Sequence, residues 1–225
     1  MKVCTDACLF GALVAGCKTC IPAEDLQQST CLDIGTGTGL LPLMLAQKNT
    51  NLTIDAVEID SAAAEQATEN ISASLWYANI RVFNTDILKF AADKIYDCII
   101  SNPPFFEDDL QSADTAKNNA KHSSTLNLMQ LLKVVEKLLH TNGLFAVLLP
   151  YHRVGYFIEE AEKVGLHLSK QILVKQTMKH KFFRGILFFN RKKNEPELKE
   201  IIIKDIHHNY TTEFAAALKD YYLFL

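Results

Sequence analysis

Three glycines lie close together in the run Asp33 to Gly39, which reads Asp-Ile-Gly-Thr-Gly-Thr-Gly. Glycine lets the backbone turn sharply and approach a ligand closely, and such a turn between a strand and a helix suits a nucleotide-like molecule. The third glycine comes one residue earlier than in the dinucleotide fingerprint. Glycine-rich turns also form simply to join a strand to a helix, so this run alone indicates a nucleotide-like ligand without identifying it.

Two acidic residues follow later apolar segments of the chain. Glu58 ends one segment, 19 residues beyond Gly39, and Asp86 comes just after the next segment. A carboxylate at the first position can accept hydrogen bonds from both hydroxyls of a ribose, as in nicotinamide-binding folds. A carboxylate at the second position can accept a hydrogen bond from the amino group of adenine. Each acid alone is more typical of a surface residue, but their joint placement at successive strand ends favours ligand binding.

The run Asn102 to Phe106 reads Asn-Pro-Pro-Phe-Phe and also follows an apolar segment. Tandem prolines end a strand, and adjacent phenylalanines are often core residues. The same residues also offer chemistry. Asn102 presents an amide oxygen, Pro103 adds a rigid carbonyl acceptor, and an aromatic ring beside them can stack on a flat base. We interpret the run as a candidate binding site for a planar group.

Apolar periodicity predicts the elements that must position these residues. The pattern alternates strand and helix, with Ser61 as a helix N-cap, Asn142-Gly143 as a helix C-cap, and a long polar loop at 107–123. It predicts an α/β fold whose mostly parallel seven-stranded sheet carries a C-terminal antiparallel strand pair and helices on both faces. Ligands of such folds bind outside the carboxyl ends of the strands. Strands are predicted at 30–34, 53–57, 80–83, 96–100, 144–149, 166–174 and 185–189, and helices at 40–47, 61–73, 126–139 and 154–164.

Composition excludes several classes of protein. The 225 residues carry a formal net charge of −3, with 48% hydrophobic and 22% charged residues, which is not the composition of a disordered chain. The sequence has no apolar run of the roughly 18 to 20 residues that a membrane span needs, and its start lacks a signal-peptide pattern, so we predict a cytoplasmic protein. We expect the six cysteines to be reduced. Cys17 and Cys20 have metal-like spacing but no second ligand pair nearby, which argues against zinc.

Positive charge is concentrated in the C-terminal third. Residues 1–150 hold 10 basic and 17 acidic side chains (−7), residues 151–204 hold 12 and 6 (+6), and the last 21 hold 1 and 3 (−2). This asymmetry is typical of polyanion binding, although a solvated basic hairpin whose phenylalanines pack inward fits equally well. The candidate phosphate contacts are Lys175, Lys179, His180, Lys181, Arg184, Arg191, Lys192 and Lys193, with Phe182 and Phe183 between them.

Together, the glycine loop, the two acids and the Asn-Pro-Pro-Phe run resemble the class I S-adenosylmethionine-dependent methyltransferases whose (Asn/Asp)-Pro-Pro-aromatic motif modifies planar amino or amide nitrogens. The segments Met1–Ala7, Ala120–His122 and Tyr210–Leu223 are similar to the bacterial family that methylates adenine N6 beside the anticodon of valine tRNA. That family usually has tyrosine where Phe105 stands, and phenylalanine keeps the stacking face.

The resemblance implies a single Rossmann-like methyltransferase domain over 1–225. Its parts are an N-terminal cap at 1–30, a cofactor-binding core at 30–150, and a C-terminal part at 151–225 with a basic hairpin and a terminal helix. It implies S-adenosylmethionine as cofactor, the tRNA anticodon loop as partner, no metal, no membrane, and a monomer or homodimer. Catalysis is expected from Asn102, Pro103 and Phe105, and cofactor binding from Asp33, Gly35, Gly37, Glu58, Asp86 and Asn102.

Four other functions remain open at this point. A protein-glutamine N5 methyltransferase meets the same chemical problem, but such enzymes usually carry a helical domain before the glycine loop. An rRNA guanine N2 methyltransferase shares the acceptor chemistry. A nicotinamide oxidoreductase shares the glycines and Glu58, yet leaves the Asn-Pro-Pro-Phe run unexplained. A noncatalytic RNA-binding protein with the same fold is the fourth.

Overall fold

The computed structural model describes residues 4–17, 29–103 and 126–224. Within them, helices and strands alternate along most of the chain. The helices are α1 (Thr5–Ala15), α2 (Leu40–Lys48), α3 (Ser61–Ser72), α4 (Leu128–Leu138), α5 (Val154–Lys163) and α6 (Thr212–Leu218). The strands are β1 (Thr30–Ile34), β2 (Thr53–Glu58), β3 (Ile80–Asn84), β4 (Tyr96–Ser101), β5 (Leu139–Pro150), β6 (His167–Lys175), β7 (Phe182–Asn190) and β8 (Glu197–Ile202).

The strands form one sheet in the order β3-β2-β1-β4-β5-β7-β6-β8. Strands β1 to β5 run parallel, and β7 is antiparallel to both β5 and β6. The predicted mostly parallel sheet with a C-terminal antiparallel pair is therefore confirmed. The number of strands is not, because β8 adds an eighth strand that pairs in parallel with β6.

Strand β8 escaped prediction because it is an exposed edge strand. Its first four residues are exposed, so it lacks the apolar run by which the other strands were recognised. In addition to the backbone pairing, two ion pairs hold it to β6, with Nζ–Oε2 distances of 3.1 Å for both Lys170–Glu197 and Lys175–Glu200. Charged side chains on an edge strand also discourage further strand pairing.

Helices cover both faces of the sheet, as predicted. On one face, buried residues of α1, α2, α3 and α6 pack against the sheet, among them the fully buried Phe10, Leu45 and Phe214. On the other face, α4 and α5 contribute Leu132 and Phe157 to a second buried cluster. Two apolar layers on a central sheet exclude water from the strands, and ligands of such folds bind at the carboxyl ends of the strands.

Two predicted helix ends are wrong. Helix α3 is capped by Asp60, whose side chain accepts the Ala63 N–H at 2.8 Å, so Ser61 is the first helical residue. Helix α4 ends at Leu138, and β5 begins immediately at Leu139, so Asn142-Gly143 lies inside a strand. The β4–β5 register shifts at this point, and a Cβ on Gly143 would lie 3.0 Å from the Asp97 carbonyl oxygen. Gly143 is therefore needed for the close approach of two strands.

The cysteines differ in state. Cys8, Cys31 and Cys98 are free thiols, as expected. Cys17 is disulfide-bonded, which contradicts the prediction that all six thiols are reduced. No helix among the described residues is long and apolar enough to cross a membrane.

Candidate functional site

The strand order reverses between β1 and β4, and the candidate residues lie at this point. Strand β1 continues to β2 and β3 on one side of the sheet, whereas β4 leads to β5 on the other. Ile34 pairs with Ser101, and the Ser101 hydroxyl donates to the Ile34 carbonyl at 2.8 Å. The backbones that follow, at Gly35 and Asn102, therefore leave the sheet side by side. Open α/β sheets bind ligands in the crevice at such a reversal.

The glycine loop needs its glycines for backbone geometry. Gly35, Gly37 and Gly39 have φ angles of 77°, 58° and 83°, all in the left-handed region. The Gly35 and Thr36 N–H groups donate to the Val57 carbonyl at 2.9 and 3.1 Å, which ties the loop to the end of β2. Apart from Gly35 and its two chain neighbours, no atom of the described residues lies within 4 Å of a Cβ built on Gly35. The loop is thus held in place while its first turn faces open space.

Glu58 connects the glycine loop to the start of α3. Its carboxylate accepts the Gly37 N–H at 2.8 Å through Oε2 and the Asp60 N–H at 2.9 Å through Oε1. The residue is only 9% exposed. Each carboxylate oxygen can accept more than one hydrogen bond, so Glu58 still has capacity for a ligand hydroxyl. The sequence predicted that Glu58 belongs to the binding site, but it contains no signal of the hydrogen bonds that Glu58 accepts.

Asp33 is a fully buried carboxylate with no hydrogen-bond partner among the described residues. Neither of its carboxylate oxygens forms a hydrogen bond within the described residues, nor does the Thr36 hydroxyl, which is buried nearby. Burial raises the pKa of Asp33 from 3.8 to about 7, the Thr36 hydroxyl opposes that rise, and the Glu58 charge adds to it. An unsatisfied buried acceptor beside the glycine loop is suited to binding a polar or cationic ligand group.

Asp86 lies at the same edge of the sheet, one strand further out. Its Oδ1 accepts the Leu88 N–H at 2.9 Å, and the residue is partly buried. Asn84 and Thr85 fix this corner, because the Asn84 side-chain amide and the Thr85 N–H both donate to the Glu58 carbonyl, at 3.0 and 2.9 Å. The sequence analysis missed Asn84. Its position could have indicated this role, because Asn84 ends a strand and the neighbouring strand ends at the acidic Glu58.

The structure describes only the first two residues of the Asn-Pro-Pro-Phe run. Asn102 is partly buried and Pro103 is buried, directly after β4. Phe105 and the segment Ala120–His122 lie outside the described residues. All six residues predicted to bind the cofactor come to one edge of the sheet, at the ends of β1, β2, β3 and β4.

The basic residues predicted for phosphate contact do not form one surface. Strand β7 runs antiparallel to β5, so its first residues lie at the carboxyl end of β5 and its last at the opposite edge. Lys175, Lys179, His180, Lys181 and Arg184 therefore lie on the side of the candidate site, whereas Arg191, Lys192 and Lys193 lie at the far edge.

Three of these cations already have protein partners. Lys175 Nζ donates to Glu200 Oε2 at 3.1 Å. The Arg184 Nε donates to Asp6 Oδ2 at 2.7 Å, which fixes the start of α1 beside the end of β5. At the far edge, an Arg191 guanidinium nitrogen donates to the Glu136 carbonyl at 2.5 Å. The basic residues of the C-terminal third therefore form two groups. The group from Lys175 to Arg184 lies at the edge of the sheet that holds the candidate site, and the other group lies at the opposite edge.

Comparison with known proteins identifies the family. Residues 2–147 match the methyltransferase small domain family. A protein of Dyadobacter fermentans named tRNA1(Val) (adenine(37)-N6)-methyltransferase is 41% identical over 191 residues, covering 85% of this chain and 76% of the relative. A protein of the same name from Pectobacterium carotovorum is 38% identical over 228 residues, covering 100% of this chain and 88% of the relative.

Solved structures agree on the fold. A predicted O-methyltransferase from Agrobacterium tumefaciens superposes with a TM-score of 0.68 at 14% identity, covering 93% of this chain and 95% of the other. At that identity the likeness shows the Rossmann-like methyltransferase fold alone. The family match and the near-full-length relatives go further: this chain belongs to the class I S-adenosylmethionine-dependent methyltransferases of the methyltransferase small domain family, together with the bacterial tRNA1(Val) (adenine(37)-N6)-methyltransferases.

Proposed function

We propose that this chain transfers the methyl group of S-adenosylmethionine to the exocyclic N6 of adenine 37 in tRNA1(Val). The observation that carries the proposal is the position of Asn102 and Pro103, at the sheet reversal and directly beside the glycine loop. A methyl donor held by the loop and an amino group held at Asn102 would therefore meet. The relatives that match nearly the whole chain carry the name of this reaction.

The residues proposed to bind the cofactor have a chemistry that suits S-adenosylmethionine. Gly35 leaves room for a ligand to approach the backbone. The Asp33 carboxylate, which has no hydrogen-bond partner in the part of the chain that the structure describes, can accept a hydrogen bond from the cationic amino group of the methionine part. Glu58 would accept the ribose hydroxyls and Asp86 the adenine amino group. Gly37 is already held by Glu58, so ribose binding and loop geometry would depend on the same carboxylate.

Asn102 and Pro103 would bind the acceptor nitrogen. The lone pair of adenine N6 is delocalised into the ring, which makes this nitrogen a poor nucleophile. When bound, S-adenosylmethionine supplies a methyl group already activated on a sulfonium sulfur, so the chain needs no strong base. The Asn102 Oδ1 and the Pro103 carbonyl would accept hydrogen bonds from the two N6 hydrogens, which favours a more tetrahedral nitrogen and aims its lone pair at the methyl group. The methylated nitrogen would then release one of its protons to water, so that N6 ends with one hydrogen and one methyl group. Phe105 would stack on the base.

A tRNA substrate is consistent with the charge of the chain. The basic group beside the strand ends, Lys175 to Arg184, could contact phosphates of the anticodon loop, whose unpaired bases cost little to extrude. A tRNA substrate also agrees with the cytoplasmic location predicted from the sequence.

The variant Asn102→Ala tests the acceptor role. We expect methyl transfer to tRNA to be abolished, because one of two oxygen acceptors for N6 is lost, while the affinity for S-adenosylmethionine stays nearly unchanged. Radiolabel transfer to tRNA measures the first quantity and calorimetry measures the second. Asn194→Ala, at an exposed position, is the matched control. Equal losses of transfer and cofactor affinity in Asn102→Ala would contradict the assignment.

A further inference from the structure

An exposed tyrosine stands where β5 ends, next to the candidate site. Tyr151 opens a short 3-10 helix, Tyr151–Arg153, directly after β5, and it is 43% exposed. Strand β5 pairs in parallel with β4, with Val147 opposite Ser101. Tyr151 thus lies at the same edge of the sheet as Asn102. Asn102 comes one residue after this pair and Tyr151 comes four residues after it. Tyr151 is therefore three residues, or about 10 Å, further than Asn102 along the strand direction.

The ring of Tyr151 packs against the ring of Phe182, and Phe182 in turn contacts the ammonium group of Lys175. The centroids of Tyr151 and Phe182 are 5.3 Å apart, with the ring planes tilted by 42°. The Lys175 ammonium lies 4.0 Å from the centroid of Phe182. Lys175 is in turn held by Glu200, with Nζ–Oε2 at 3.1 Å. A fixed series of contacts, from β8 through β6 and β7, therefore keeps the exposed ring in place.

The surroundings of this ring attract a polyanion. The segment from Lys175 to Arg184 contains four Lys or Arg residues and no Asp or Glu. Lys179 and Lys181 are exposed in the β6–β7 turn. An exposed aromatic ring beside cations combines a flat face with positive charge, and these two features together suit a single-stranded nucleic acid. Aromatic rings in such surroundings are the common means by which proteins bind unpaired bases of RNA.

We propose that Tyr151 is a base-stacking residue that positions the tRNA by binding a nucleotide flanking the target adenine. This inference rests on the proposed function and deepens it. Because Tyr151 lies about 10 Å beyond Asn102 along the strand direction, the ring is assigned a neighbouring base and Asn102 the target adenine. Phe182 and Lys175 orient the ring, and Lys179 and Lys181 contribute charge to the neighbouring phosphates.

Two substitutions at one position separate ring stacking from other roles. Tyr151→Leu keeps apolar bulk against Phe182 but removes the flat face, whereas Tyr151→Phe keeps the face and removes the hydroxyl. The control is Tyr77→Leu. Tyr77 is also an exposed tyrosine on a 3-10 helix, but it precedes β3 and so lies at the opposite edge of the sheet. For each variant, kcat and KM for unmodified tRNA, the affinity for S-adenosylmethionine and the melting temperature are measured.

In Tyr151→Leu we expect KM for tRNA to rise about five- to 150-fold, the range for one lost base-stacking contact. Cofactor affinity and melting temperature should stay near wild type, and kcat should change little. Tyr151→Phe and Tyr77→Leu should resemble wild type. An unchanged KM in Tyr151→Leu, or an equal loss in Tyr151→Phe, would overturn the inference while leaving the proposed function intact. A wild-type protein that methylates no tRNA would overturn both.

Discussion

Replacing Asp33 with asparagine is expected to stabilise the folded protein at neutral and alkaline pH. The Asp33 side chain is fully buried and forms no hydrogen bond within the described residues. Ionising it in the folded state is therefore costly, and asparagine has nearly the same shape without the charge. The same substitution removes a carboxylate from the proposed cofactor site, so the affinity for S-adenosylmethionine should fall. Gains in stability at the expense of binding are common at functional sites.

The magnitude follows from the pKa of Asp33, which burial raises from 3.8 to about 7. Between those two pH values the folded state binds a proton that the unfolded state has lost, so the free energy of unfolding decreases as pH rises and levels off above about pH 7. A difference of about three pH units corresponds to about 4 kcal/mol, which is an upper value for the effect. Below about pH 4 both states are protonated and the contribution vanishes.

Urea unfolding at pH 4.5 and pH 8, without cofactor, measures this effect. We expect Asp33→Asn to be up to about 4 kcal/mol more stable than wild type at pH 8, and the gain to shrink greatly at pH 4.5. The control is Asp97→Asn. Asp97 Oδ2 accepts both the N–H and the hydroxyl of Thr30, at 2.9 and 3.0 Å, so its substitution should cost about 1 to 2 kcal/mol at pH 8. An Asp33→Asn variant that is less stable than wild type at pH 8, or equally changed at both pH values, would refute the reasoning.

Two further predictions concern the glycine loop. Glu58→Gln should lower the free energy of unfolding by about 1.5 to 3 kcal/mol, because an amide has one oxygen for the two N–H groups that Glu58 now accepts, while Glu65→Gln, exposed on α3, should change little in the same urea titration. Gly35→Ala should cost about 1 to 2 kcal/mol because its φ is 77°, whereas Gly155→Ala, in α5 with open space around a Cβ, should gain about 0.5 to 1 kcal/mol. Thermal unfolding that gave both alanine variants the same sign would contradict the conformational explanation.

The sequence predicted most of the central sheet because its strands are short, apolar and bounded by strong signals. Strand β1 ends at the glycine run and β4 at two prolines, and both were placed within a residue of their observed ends. Helix α1 was not predicted as a helix. Seven of the eight residues from Ala7 to Val14 are buried, so its apolar residues do not form the one-sided stripe that identifies a surface helix.

The site was predictable as far as it depends on strand ends, and no further. Acids and an asparagine after parallel strands must come to one edge, so Glu58, Asp86 and Asn102 could be grouped before the fold was known. The bonds of Glu58 to two backbone N–H groups depend on loop conformation. The division of the basic residues depends on the direction of β7, and the position of Tyr151 against Phe182 depends on the β5–β7 pairing. None of these leaves a periodic signal in the chain.

The most direct test of the account is to find where the methyl group goes. Purified protein is incubated with labelled S-adenosylmethionine and unmodified tRNA1(Val), and the tRNA is then digested and its nucleosides are identified and mapped. A matched transcript with guanosine at position 37 serves as the control. We predict a single labelled nucleoside, N6-methyladenosine at position 37, and no label in the control transcript. Label in protein, label in a methylated guanosine, or label in the control transcript would contradict the claim that Asn102 and Pro103 present adenine N6 to the methyl donor.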